Sequence, residues 1–141
     1  MFRSAFAVIV AALTLQPVLA QGDAATPGFL LELNALQAAP EGCRVTFLAT
    51  NALATAIDRA AVEMAVFAQD GGIDRIVTLD FKALSPGKTK VLQFELGELA
   101  CTSIGRLLIN DITACEGDGL APAACLDSLV TSRRPDIDFG I

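Results

Sequence analysis

The sequence predicts an all-β chain: a single antiparallel β-sandwich of about six to eight short strands, stapled by disulfides. Three observations carry this reading. Apolar and polar residues alternate with a period of two in successive stretches, as half-buried strands require. Turn chemistry recurs every ten or so residues between those stretches. Four cysteines, an even number, follow an N-terminal segment with the character of an export leader.

The elements follow in chain order. From Phe29, the residues Phe29, Leu31, Leu33 and Ala35 share one parity, and Leu30, Glu32, Asn34 and Leu36 the other. Ala39-Pro40-Glu41-Gly42 is a turn, and Cys43, Val45, Phe47 and Ala49 then alternate with Arg44, Thr46, Leu48 and Thr50. Asn51 to Ala60 is rich in alanine and reads as either a short helix or an irregular connection. A helix over Ala49–Val66 is the main competitor to the all-β reading. Val62, Met64 and Val66 alternate with Glu63, Ala65 and Phe67, and Asp70-Gly71-Gly72 supplies residues that tolerate positive φ at a hairpin. The return strand runs from Ile73 to Phe81, with Ile73, Val77, Leu79 and Phe81 expected inward. Pro86-Gly87 is ordered as a type II turn prefers. Val91 to Leu96 places Leu92, Phe94 and Leu96 inward, and Ile104 to Thr113 is the last clear strand. The turn-rich remainder ends in Asp136 and Asp138 alternating with Ile137 and Phe139, a pattern for a terminal edge strand or for a tail that adds to a partner's sheet.

Residues 1–20 read as a cleaved signal peptide. Arg3 opens it, Ala5 to Leu15 is apolar, and Val18-Leu19-Ala20 presents small or light side chains where signal peptidase inspects them. The apolar stretch is shorter than the ~20 residues of a spanning helix. The expected organisation is a leader over 21–28, a sandwich domain over 29–132 and a tail or edge strand over 133–141. The expected location is periplasmic or secreted, with no membrane span after cleavage.

In such a compartment Cys43, Cys101, Cys115 and Cys125 are expected as structural disulfides. Strand direction favours one of the three pairings. Cys43 opens the second strand, and the fifth strand returns to that end before Cys101; Cys115 closes the sixth strand, ten residues before Cys125. The favoured pairs are Cys43–Cys101 and Cys115–Cys125. No Cys-x-x-Cys spacing supports a redox centre.

The stretch from Cys43 to Leu96 resembles the FxLYD-type, immunoglobulin-like β-sandwich domains of bacterial extracytoplasmic proteins. Thr50-Asn51, the Val62–Phe67 strand, Asp70-Gly71, and Leu84-Ser85-Pro86-Gly87-Lys88 followed by Val91-Leu92-Gln93-Phe94 carry the resemblance. The chain departs from the family at Phe67-Ala68-Gln69-Asp70, where an aromatic tends to stand directly before Asp, and in its four cysteines. The resemblance implies a non-catalytic binding or spacer role. As a whole the chain is also similar to short secreted proteins of alphaproteobacteria.

Composition narrows the function further. There is no histidine, so the commonest general base and zinc ligand is absent, and no Trp or Tyr to build a sugar platform. Net charge is −6, or −7 once Arg3 leaves with the leader, which disfavours nucleic acid and anionic membrane as partners. Asp111, Glu116 and Asp118, with Asn110, are the weak candidates for a Ca²⁺ site, although the Asp-x-Asn-x-Asp-Gly order is missing. No catalytic residue is singled out. Ser85, Ser103, Ser128 and Ser132 have no histidine to activate them, and Lys82, Lys88 and Lys90 flank a turn. The expectation is an envelope interaction or accessory module with a protein partner and no cofactor. The alternatives are a small-ligand or Ca²⁺-binding protein and, after it, a hydrolase using paired carboxylates.

Overall fold

A computed structural model describes residues 27–141. The signal peptide expected over 1–20 and most of the leader expected over 21–28 lie outside the described residues. The chain forms eight strands: β1 (Phe29–Ala39), β2 (Gly42–Asn51), β3 (Ile57–Ala68), β4 (Ile73–Leu84), β5 (Thr89–Gly97), β6 (Ile104–Glu116), β7 (Leu129–Arg133) and β8 (Asp138–Gly140). A 3-10 turn at Cys101–Ser103 precedes β6, and a one-turn helix α1 (Ala124–Asp127) precedes β7. Two four-stranded sheets face each other, one ordered β5-β2-β1-β7 and the other β4-β3-β6-β8. The fold is an all-β sandwich.

Period-two alternation decides which side chains enter the space between the sheets. Phe29, Leu31 and Leu33 of β1 meet Val45, Phe47 and Ala49 of β2 on one wall. Val62, Met64 and Val66 of β3 and Leu107 and Ile109 of β6 form the other. Five of the phenylalanines lie in this layer. Phe47 of one sheet packs on Phe81 of the other at 5.7 Å between ring centroids, and on Phe139 at 5.6 Å. Phe29 and Phe94 complete the cluster against Phe81.

Bulges shift the alternation in places that simple parity does not show. In β1, Leu33 pairs with Phe47 but Ala35 pairs with Thr46, so Asn34 is the extra residue. Leu36 rather than Ala35 then packs on the core. In β4 a shift opposite Val66 and Phe67 leaves Ile73 60% exposed, correcting its expected inward position. A second shift lies near Lys82, whose φ of 61° is in the left-handed region that a non-glycine residue rarely adopts. Asp80 accepts the Lys82 backbone N–H at 2.9 Å and holds that conformation.

The sheets are mixed, not purely antiparallel. β1, β2 and β5 are antiparallel neighbours, as are β4, β3 and β6. The last two strands add in parallel, β7 on β1 and β8 on β6. The reason is the path of the C-terminal segment. Cys125 anchors α1 to the end of β6, so the chain turns back beside the start of β1 and runs along it in the same direction. Residues 134–137 then cross to the other sheet, and β8 pairs within this chain. The alanine-rich connection is no helix: after Asn51 the chain bends through residues 52–56, and β3 begins at Ile57.

Close backbone approach fixes one glycine. Gly42 pairs with Gly97 across the sheet, and a Cβ there would run into the Leu96 carbonyl oxygen. At the hairpin tip Gly71 has φ 87°, as its turn requires.

Asn51 is a wholly buried polar residue and organises the opposite end of the sandwich. Its amide donates to the Thr55 and Leu84 carbonyls, both at 2.9 Å, and its Oδ1 accepts the Leu53 N–H at 2.9 Å. Its backbone bonds Lys88 and Gly87. One side chain thus ties the β2–β3 connection to the end of β4. Asn51→Ala would strand Leu84 O and Leu53 N without partners in the interior. The expected cost is about 2–4 kcal/mol by denaturant unfolding, against less than ~0.5 kcal/mol for Gln37→Ala on the exposed end of β1. Equal effects at the two positions would refute the role given to Asn51.

Candidate functional site

Disulfides fix both cross-connections of the sandwich. Cys43, at the start of β2 and fully buried, bonds Cys101 in the 3-10 turn, with Cα atoms 4.9 Å apart. Cys115, near the end of β6, bonds Cys125 in α1 at a Cα separation of 5.9 Å. No free cysteine remains among the described residues. The bonds close loops of 58 and 10 residues and are expected to stabilise by ~2–4 kcal/mol each. Such bonds fit a compartment outside the cytoplasm. Among the described residues no helix is long and apolar enough to cross a membrane.

The acidic residues singled out for Ca²⁺ are not assembled. Asp111 and Glu116 stand five positions apart on one extended strand, roughly 17 Å of chain, too far to share an ion. Asp111 accepts its neighbour Ile112 N–H at 2.8 Å, and Glu116 lies 3.6 Å from the Arg59 guanidinium. Asp118 sits in the turn beyond β6, and Asn110 donates to Glu63 at 2.6 Å. Among the described residues no three His, Cys, Asp or Glu side chains group as metal ligands.

The serines and lysines have structural partners. Ser128 donates to the Ala124 carbonyl at 2.6 Å and closes α1. Lys82 bonds Asp80 at 3.3 Å, and Lys90 donates to the Ala83 carbonyl at 2.9 Å. The last contact joins β5 to β4, the edge strands of the two sheets on that side. Arg75 of β4 donates in return to the Gly97 carbonyl at 2.7 Å. These two bonds occupy edge carbonyls that would otherwise offer themselves to an added strand.

Concave surface is shallow. The largest hollow, about 500 Å³, lies beside the Cys43–Cys101 bridge between the β1–β2 turn and residues 99–102. Ala38, Pro40, Leu99 and Ala100 line it, and Glu41 is its one carboxylate. A hollow of about 250 Å³ lies between Arg106, Arg133 and Phe139. Paired carboxylates facing each other across a cleft are not found in these two hollows.

Two carboxyl groups are held below their usual range. The Lys82 backbone N–H does this for Asp80, helped by Arg59 and the Lys82 ammonium and opposed by burial. The Asn34 amide and the Arg134 guanidinium do it for Glu32. Both pairs brace strands. Glu32 with Arg134 at 2.7 Å pins β1 to the segment after β7.

The outer faces of the sheets are the less expected feature. On the β5-β2-β1-β7 sheet, Val91 (65% exposed) lies opposite Leu48, and Val130 (40%) opposite Leu30. On the other sheet, Ile76 lies opposite Ala65 and Ile73 opposite Phe67. The outward parity of Val91 and Leu48 was readable in the sequence as the apolar residues left over when each strand's inward set is assigned. Ile73 was hidden by the bulge. Comparison of the chain with family models, with curated proteins and with solved structures gave no significant match.

Asp80 gives a pH prediction. Its folded-state pKa is depressed, so its contribution is complete above the ordinary carboxylate range and is lost as pH falls through the lower native value. Asp80→Asn keeps an acceptor for Lys82 N–H but removes the charge. It should lower stability at pH 7 by about 0.5–1 kcal/mol, and the difference should close in acid below that window. Guanidinium unfolding at both pH values measures it; a deficit that persists unchanged in acid would show that charge is not the cause.

Proposed function

We propose that this chain works outside the cytoplasm as a non-catalytic interaction module for an envelope protein. The apolar outer face of the β5-β2-β1-β7 sheet carries the reading. Val91, Leu48, Leu30 and Val130 stand on the solvent side of a sheet whose other side already holds the core. Exposed apolar side chains of this size grouped on one face mark a contact surface more often than a solvated one. Edge-strand addition is the weaker route on the β4/β5 side, because Arg75 and Lys90 already hold the edge carbonyls. Docking on the face is the stronger route. The disulfides suit that role, since a fixed sandwich loses little entropy when it docks. The likeness to FxLYD-type domains, on the residues from Cys43 to Leu96, supports the same reading.

A photo-reactive amino acid placed at Val91 in a tagged copy, expressed in cells and irradiated, tests it. The expected result is one reproducible adduct with an envelope protein from position 91 and none from Asp118 in the exposed turn beyond β6. Background-level capture at position 91, or equal capture at both positions, would overturn the docking face.

A further inference from the structure

The second outer face, on the β4-β3-β6-β8 sheet, has an order of its own. Its residues form transverse rows. The central row is Ile76, Ala65, Leu108 and Gly140, set by the pairings of Ala65 with Ile76 and Leu108 and of Leu108 with Gly140. One row toward the β3–β4 hairpin come Ile73, Phe67 and Arg106. One row the other way come Thr78, Glu63 and Asp111. The face is therefore apolar along its middle, cationic on one flank and anionic on the other.

The flanking charges are held in place and are left uncommitted. Arg106 lies over the Phe67 ring, 5.8 Å from its centroid. Glu63 accepts the Asn110 amide at 2.6 Å. Among the described residues none of Arg106, Glu63 and Asp111 belongs to an ion pair. Asp138 stands next to Arg106 in register, but its ion pair is with Arg133 at 3.9 Å. Ile73 and Ile76 are 60% and 53% exposed.

Such a face is complementary to itself. A two-fold axis laid along the central row brings two copies face to face and turns each upside down along its strands. The Ile76 and Leu108 rows then meet, and the Arg106 flank of each copy lies over the Glu63 and Asp111 flank of the other. A two-fold axis along the strands would instead set like charges together, so the charge pattern selects one orientation.

We propose that this face binds a second copy of the chain in that orientation, independently of the envelope partner on the opposite sheet. Three rows across four strands cover roughly 15–20 Å by 20 Å. That is below the ~800 Å² per partner of a standard interface, so the dimer is weak and forms with concentration.

Sedimentation velocity on the intact protein tests this with charge-reversed chains. One chain carries Arg106→Glu; the other carries Glu63→Arg with Asp111→Arg. Each alone sets like charges at both flanks of its own dimer, whereas a mixture of the two has both flanks complementary. The wild type should associate as concentration rises from about 1 to 500 µM. Each variant alone should associate at least ~10-fold more weakly, and the equimolar mixture should recover to within ~3-fold of wild type. Recovery in the mixture also shows that both variants are folded. A wild type that stays monomeric throughout, variants that self-associate like wild type, or a mixture that fails to recover would each overturn the proposal. So would a photo-adduct from Ile76 with a different protein in place of a second copy.

Discussion

The sandwich depends on the contact between Phe47 and Phe81. These rings come from opposite sheets, and they meet edge-to-face at an interplanar angle of 73°. Hydrogen bonding within each ladder is satisfied without reference to the other sheet, so only side-chain packing holds the two layers together. Phe47 also reaches Phe94 and Phe139, and Phe81 reaches Phe29 and Phe94. The cluster therefore gathers β1, β2 and β5 from one sheet and β4 and β8 from the other. Rings also explain how β8, three residues long and paired only to β6, stays in place: Phe139 anchors it to Phe47.

The polar and covalent links act around that centre. The Cys43–Cys101 bond fastens the segment after β5 to the first turn of β2, and Cys115–Cys125 sets the path on which β7 and β8 are laid. Asn51 satisfies four backbone-rich segments at the other end, where an apolar residue would leave buried carbonyl and amide groups unpaired. Arg75 and Lys90 close one side across the sheets, and Arg134 with Glu32 closes the other. With the interior occupied by packed aliphatic and aromatic side chains, the surfaces left for function are the two outer faces and the shallow hollows at the ends.

Much of this was readable in the sequence, and the failures have specific causes. Alternation placed Leu92, Phe94 and Leu96 inward and located six antiparallel strands, because a half-buried strand must repeat every two residues. The direction of those strands pointed to the two cysteine pairs that the structure contains. Alternation failed at bulges: Asn34 in β1 and the step near Ile73 in β4 each add one residue and reverse the parity that follows. The parallel addition of β7 and β8 has no local signature, since it follows from a distant covalent anchor. The Ca²⁺ candidates clustered in the sequence and separated in space, because five residues of strand span far more than an ion's coordination radius. The outer-face rows depend on register between strands, which a single strand's pattern does not contain.

A double-mutant cycle between Phe47 and Phe81 tests the central claim most directly. Phe47→Leu, Phe81→Leu and the double variant would be unfolded in denaturant and their stabilities compared with wild type. The account predicts a coupling of about 0.5–1.5 kcal/mol between the two rings, beyond the separate losses from each. Strictly additive losses would contradict it and would mean that the sheets are held by burial spread evenly over the layer, with no privileged contact at its centre.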